Sequence, residues 1–411
     1  MMDACIHRGS HEIGGSCVEL RSEGKRLLID LGLPLEAPGD SALYVPPIAG
    51  LDGSDLSLLG LLVSHPHIDH YGLLGHLSPN VPVGMGVAAR RIIKAASPFM
   101  KDPLPAISEG WDYKPREGFD IGPFRVTPFQ VDHSAYDAYS LLVESGGRRL
   151  FYSGDFRSLG RKCPLFHKFC ADPPSDIHAL LLEGTTIGRQ EPRVSELMVE
   201  KRMAELFSRT PGLVMVHSSM QNIDRVVSVF KACIRRSRIL VVDLYGAAIL
   251  EATGNRNIPQ TNWPQMALYV PRWQLSKMRQ QPELMERLGK NRISLSQISS
   301  NPGRFALMFR PMHMTDLDSG QCLEGAAFVY SMWEGYRKRG DYARVEQWLE
   351  KNGVLLHSIH SSGHAGTGDL QKLVSALNPQ KVIPIRSFSP ERYREAFPSV
   401  EMHSDGEWWD V

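Results

Sequence analysis

The hydrophobic pattern changes character once along the chain. Up to residue 183, short apolar runs stop at Gly, Pro or Asp, the punctuation of β-strands. The pattern predicts strands over 4–7, 17–20, 26–29, 59–63, 81–85, 124–131, 140–144, 149–153 and 179–182. Ser145-Gly146-Gly147 joins 140–144 and 149–153 as a hairpin. Helices are predicted over 71–77 and 88–96, and the Pro- and Gly-rich segments 36–57 and 98–122 read as surface connections. From residue 190 helices (194–207, 223–234, 342–351) alternate with strands (213–216, 239–242, 306–308, 326–330), the rhythm of a parallel α/β unit. Residues 254–304 are polar and undecided. A strand at 354–357, a helix over 369–377, a strand over 381–385, a short helix near Tyr393 and an acidic, Trp-rich end complete the chain.

Polar side chains recur where apolar strands stop. The run 59–63 leads into Ser64-His65-Pro66-His67-Ile68-Asp69-His70-Tyr71-Gly72. On extended backbone His65, His67 and Asp69 share a side, while His70 departs from the alternation and faces a neighbouring centre. As structural residues, each of the four would need its own buried partner. At this density they suit zinc or another borderline divalent metal. Asp30 ends the 26–29 strand, His133 follows 124–131, Asp155 follows 149–153 and Glu183 follows 179–182. A second histidine-bearing stretch, His360-Ser361-Ser362-Gly363-His364, follows 354–357. Polar ends gathered at one sheet edge make a cleft. His217-Ser218-Ser219 closes the 213–216 strand, with Ser218 read either as a phosphate contact or as part of a helix cap.

Composition narrows the class. The chain of 411 residues allows two domains, or one domain with a large insertion. With 46 Lys and Arg against 45 Asp and Glu, any nucleic-acid surface must be a local patch. Six scattered cysteines without a Cys-x-x-Cys pair read as reduced thiols. There is no signal-peptide h-region and no apolar run of the ~18 residues that a membrane span needs, so the expected setting is cytoplasmic, away from membranes.

The ordered set Asp30, His65-x-His67-x-Asp69-His70, His133, Asp155 resembles the metallo-β-lactamase fold superfamily. The α/β block after residue 190, Glu183 and Ser362-Gly363-His364-Ala365 resemble its β-CASP nuclease branch, typified by ribonuclease J, in a short form without an extra C-terminal domain. The resemblance implies an αββα sandwich (1–190 and 353–411) with an inserted, smaller parallel α/β β-CASP domain (191–352). It implies metal-dependent phosphodiester hydrolysis of single-stranded RNA by two-metal water activation, with DNA as the alternative substrate. A catalytically altered nucleic-acid-binding protein is a further alternative, and a small-molecule hydrolase is disfavoured by the insertion. His65, His67 and His133 would bind one Zn2+ (or Mn2+), Asp69 and His70 the other. Asp155 would bridge them and Asp30 would orient the cluster. Asp69, Glu183 and His364 are the implied catalytic positions, His364 as general acid held by Glu183, and a homo-oligomer is compatible with the family.

Ser361, Ser362 and Gly363 would hydrogen-bond phosphate oxygens. One position departs from the pattern. Where RNA-cleaving relatives carry a ligating histidine after the 381–385 strand, this chain has Arg386, which cannot ligate a metal. Three outcomes stay open: a weak second site, an arginine that grips the scissile phosphate, or loss of nuclease activity with binding retained. In the plainest alternative, Arg386 pairs with Glu183 or Asp69.

Overall fold

Strands buried on both faces read as unbroken apolar runs, and their alternate residues enter different cores. In Lys25–Ile29, Leu27 and Ile29 join one cluster and Leu28 another. In Ala138–Ser145, Leu141 and Val143 join the first of these while Leu142 joins a third. In Ala179–Glu183, Leu181 faces the first and Leu180 and Leu182 the third. This computed structural model describes residues 1–100, 103–104, 106–189, 192–280, 282–338 and 340–411. It divides into two compact units: Met1–Lys94, Asp102–Pro192 and Gly363–Val411 in one, Ala95–Lys101 and Arg193–Ser362 in the other.

Among the described residues the first unit holds two sheets. One runs, edge to edge, Trp408–Asp410, Met2–Arg8, Cys17–Ser22, Lys25–Ile29, Leu58–Leu62, Val83–Gly86, Asp112–Tyr113. The other runs Lys381–Ile385, Ala179–Glu183, Arg148–Tyr152, Ala138–Ser145, Phe124–Val131, Phe119–Ile121. The shared core of Ile6, Leu20, Ile29, Leu62, Val143, Tyr152, Leu181 and Ile383 lies between them. Ile93 of the helix Val87–Ala96 packs on the outer side of the first sheet. Phe166 and Phe169 of Pro164–Ala171, with Leu370 and Leu373 of Thr367–Leu377, pack on the outer side of the second. The layers are α/β/β/α. The Trp-rich end is a strand rather than a loop, pairing antiparallel with Met2–Arg8 so that Trp409 faces Ala4.

The second unit is a parallel sheet, Arg292–Ile293, Met266–Tyr269, Ile239–Val242, Phe305–Phe309, Val214–His217, Ala327–Tyr330, Leu355–Ser358. Leu355–Ser358 pairs in parallel with Ala327–Tyr330, so the chain returns to the first unit at Gly363, later than the expected 353. The expected boundary between 190 and 191 lies outside the described residues. The undecided stretch contributes two strands and the helices Leu275–Gln280, Pro282–Leu288 and Leu295–Ser300. Among the described residues no helix is long and apolar enough to cross a membrane.

Candidate metal centre

The centre is assembled by how three strands of the first unit stop. After Leu58–Leu62 the chain bends at His65-Pro66, where the His67 amide donates to the His65 carbonyl at 3.0 Å, and then turns helical over Ile68–Tyr71. The helix expected at 71–77 therefore begins earlier, inside the histidine motif, and a single 3₁₀ turn, Leu74–His76, follows it. This corrects the alternation. His65 stands in the bend and His67 caps the helical turn that carries Asp69 and His70, so the period of two holds for none of the four.

Asp30 anchors that turn from the neighbouring strand. Its backbone is left-handed (φ +59°), a conformation that aspartate tolerates better than most residues. There its carboxylate accepts from the Ser64 amide at 2.7 Å, the Ser64 hydroxyl at 2.8 Å, the Tyr152 hydroxyl at 2.8 Å and His70 Nδ1 at 2.7 Å. Ser64 Oγ also lies 3.0 Å from His65 Nδ1. His133 Nδ1 lies 2.7 Å from the Gly363 carbonyl, an acceptor only, so that nitrogen carries the proton. With Nδ1 engaged in each ring, Nε2 of His65, His70 and His133 is the atom left for a ligand.

Those atoms converge. The His65–His67, His65–His133 and His67–His133 ring centroids are 5.0, 4.7 and 5.0 Å apart, and His133 Nε2 is 3.2 Å from His67 Nδ1. Among the described residues three trios place one ligand atom each within 4.8 Å of one another: His65/His67/His133, His65/His70/Asp155 and His133/Asp155/His364. His65 Nε2 is buried without a hydrogen-bond partner. An orphaned imidazole nitrogen facing two more histidines and a carboxylate fits a divalent cation of the zinc class. Burial pushes His65 and His133 well below the ordinary histidine value and His67 to about 4. They are therefore neutral rings with free lone pairs, the form that binds metal. His70 goes the other way, to about 10, because Asp155, Asp30 and Asp69 outweigh both burial and the Arg386 charge.

Asp155 has two differently employed oxygens. Oδ2 faces His70 Nε2 at 3.3 Å, His364 Nδ1 at 3.7 Å and His65 Nε2 at 3.8 Å. Oδ1 lies 2.7 Å from Arg386 Nε. Arg386 also meets Asp69 Oδ2 through Nη2 at 2.8 Å and Ser16 Oγ through Nη1 at 3.0 Å. Its side chain is 2 % exposed. Against the penalty of burial, the guanidinium brings the Asp69 carboxyl down to about 2.

The remaining expected residues fall as follows. Glu183 is buried, accepts from the Phe156 amide through Oε1 at 3.0 Å, and holds His364 Nδ1 at 3.0 Å through Oε2. Against burial, that carboxylate raises the His364 pKa. Gly363 turns its carbonyl to His133. Arg386 is not on an open face gripping phosphate, because all three of its nitrogens are engaged within the protein. Ser361, too, is buried in the second unit, where its hydroxyl meets Glu196 at 2.8 Å and Arg225 at 2.9 Å. That network corrects its reading as a phosphate contact. Ser218 is buried as well, and Ser362 is half-buried. His360, the competitor of His364, lies in the second unit with Nδ1 3.4 Å from Arg225.

Residues 12–183, which carry most of this centre, match the metallo-beta-lactamase superfamily model. Over that segment the chain is similar to metallo-β-lactamase domains. It is 23 % identical over 385 residues to ribonuclease J of Sinorhizobium meliloti, covering 87 % of this chain and 63 % of that protein. It is 21 % identical over 412 residues to ribonuclease J of Mycoplasma pneumoniae, covering 92 % and 66 %. Endoribonuclease YSH1 of Eremothecium gossypii is 27 % identical over 282 residues, covering 61 % and 34 %. The chain thus spans less than two thirds of the length of these curated relatives. A crystal structure of a protein of unknown function from Enterococcus faecalis V583 superposes with a TM-score of 0.82 at 20 % identity, over 99 % of both chains. The α/β fold of that structure therefore extends over the whole chain.

Sequence reasoning gave no role to several residues that position the candidate centre. Ser64 and Tyr152 fix Asp30, and Ser16 holds Arg386. Buried Arg157, 3.3 Å from Asp132, ties the segment after Asp155 to the one before His133. Arg157 and Asp132 each lie beside a ligand candidate in sequence. A like-placed pair of opposite charges was the available signal.

Proposed function

We propose that this protein is a metal-dependent phosphodiester hydrolase acting on single-stranded RNA. The observation that carries the reading is the pair of overlapping ligand groups, His65/His67/His133 and His65/His70/Asp155, beside a histidine held by a buried glutamate. His65, His67 and His133, with Asp155 beside them, would hold the ion, and the all-N/O donor set favours zinc, with manganese as the alternative. When bound, a divalent ion supplies Lewis acidity toward water and the phosphoryl oxygen.

The chain's own groups would do the rest. Glu183 fixes Nδ1 of His364, which leaves Nε2 as the proton-bearing edge turned to the leaving oxygen. The Glu183 carboxylate raises the His364 pKa and so favours the protonated ring. Asp30, Ser64 and the Gly363 carbonyl keep the ligand tautomers fixed throughout. Ribonuclease J and YSH1 relatives favour RNA as substrate.

Cleavage of matched single-stranded RNA and DNA oligonucleotides by zinc- or manganese-loaded protein tests the proposal. His67→Ala is expected to lose both the ion and RNA cleavage. His364→Ala is expected to keep the ion while turnover falls ~100-fold or more. Intact RNA in the presence of metal-loaded wild type would sink the reading, and preferential DNA cleavage would transfer it to the other substrate.

A further inference from the structure

We infer that Arg386 is a permanent resident cation standing where a second metal ion would, so that the protein holds a single divalent ion. The inference rests on the metal reading above and adds the number of ions and the reason for it.

A second ion beside the first would draw on Asp69, on His70 and on the outer oxygen of Asp155. Two of those three groups are already committed. Arg386 Nη2 lies 2.8 Å from Asp69 Oδ2, and Nε lies 2.7 Å from Asp155 Oδ1. One planar fork therefore spans both carboxylates, while Ser16 Oγ occupies the third nitrogen at 3.0 Å. Asp69 appears in none of the trios of converging ligand atoms found among the described residues. The Arg386 Nε–Asp155 Oδ1 contact is an ion pair at 2.7 Å without hydrogen-bond geometry, whereas Arg386 Nη2 hydrogen-bonds Asp69 Oδ2.

The arginine is built into this place. It follows the strand Lys381–Ile385 directly, in a left-handed conformation (φ +59°), with its amide bonded to the Gly9 carbonyl at 2.7 Å. A non-glycine residue keeps that backbone only where its surroundings enforce it. Two buried carboxylates without a cation would be strongly unfavourable, and a guanidinium neutralises them without ever losing its proton. A divalent ion reaching Asp69 would have to displace the fork from both carboxylates and leave a buried, unpaired arginine.

Metal content decides the matter independently of turnover. Dialysed wild-type protein, measured by elemental analysis and by cobalt(II) titration followed through its d–d absorbance, is expected to bind one equivalent per chain. Arg386→His removes the fixed charge and supplies a ligand, and is expected to rise to two. Arg386→Lys keeps the charge and is expected to stay at one. Two tightly held equivalents in wild type would overturn the inference while leaving the metal reading intact. None would overturn both. If Arg386→His fails to fold, as judged by circular dichroism, the wild-type and Arg386→Lys stoichiometries still decide.

Discussion

The hydroxyl of Ser64 lies within hydrogen-bond distance of Asp30, His65 Nδ1 and His70 Nδ1 at once, at 2.8, 3.0 and 3.2 Å. It donates to the carboxylate and offers its lone pairs to the two ring N–H groups, so one small residue sets the tautomer of two histidines. Ser64→Ala leaves His70 its bond to Asp30 but frees His65. The expected outcome is a ~10–100-fold loss of metal affinity with the fold retained, read by competition against a chromogenic chelator. Affinity equal to wild type would show that packing alone orients His65. At this scale the sequence displayed the ligand types plainly, since histidine and aspartate are rare together at a strand end. It did not display the partners, because a serine beside a histidine looks like any turn residue, and neither Tyr152 nor Ser16 is near the motif in sequence. Arg386 was recognisable as out of place and Asp69 was one of the partners expected for it; Asp155, not Glu183, as the other partner needed the geometry.

The motif turn is held by close backbone approach. The amides of Leu31 and Leu33 donate to the carbonyls of His70 and Ile68 at 2.9 and 3.1 Å, and the Ser16 amide donates to that of Asp69 at 3.1 Å. A side chain at Gly32 would put its Cβ 1.8 Å from the Asp69 oxygen, so the turn can lie this near only to a glycine. Gly32→Ala is expected to cost about 3 kcal/mol in denaturant unfolding, the upper part of the range for overpacking, and to lower metal content as well. Unchanged stability would mean that the turn moves freely. Most strands were legible from their apolar runs, because both faces of each sheet are covered. The start of the Ile68–Tyr71 helix was not, since four residues carry no helical period. The helix Leu244–Ala252 was missed for the opposite reason, being buried at nearly every position and so lacking a polar face to mark its period.

Each unit closes its own core, and the metal centre belongs wholly to the first. An ion held by the folded form alone stabilises that form by mass action. Stripping it with a chelator is expected to lower the melting temperature, by the equivalent of about 2.7 kcal/mol if free metal had stood 100-fold above its dissociation constant. Returning zinc restores the transition; a melting curve indifferent to chelator would argue against a site occupied in the native state.

The pairing of Arg386 with Asp69 spans 317 positions, and that of His133 with Gly363 spans 230. Both close only after all of 193–362 has been made, so the centre is completed late in synthesis. Until Lys381–Ile385 adds itself beside Ala179–Glu183, that inner strand is an open, apolar edge. A ribosome-bound chain thus passes through a stage with most of the histidines and neither the arginine nor the covering strand. That stage, with its inner strand uncovered, is the one most exposed to aggregation.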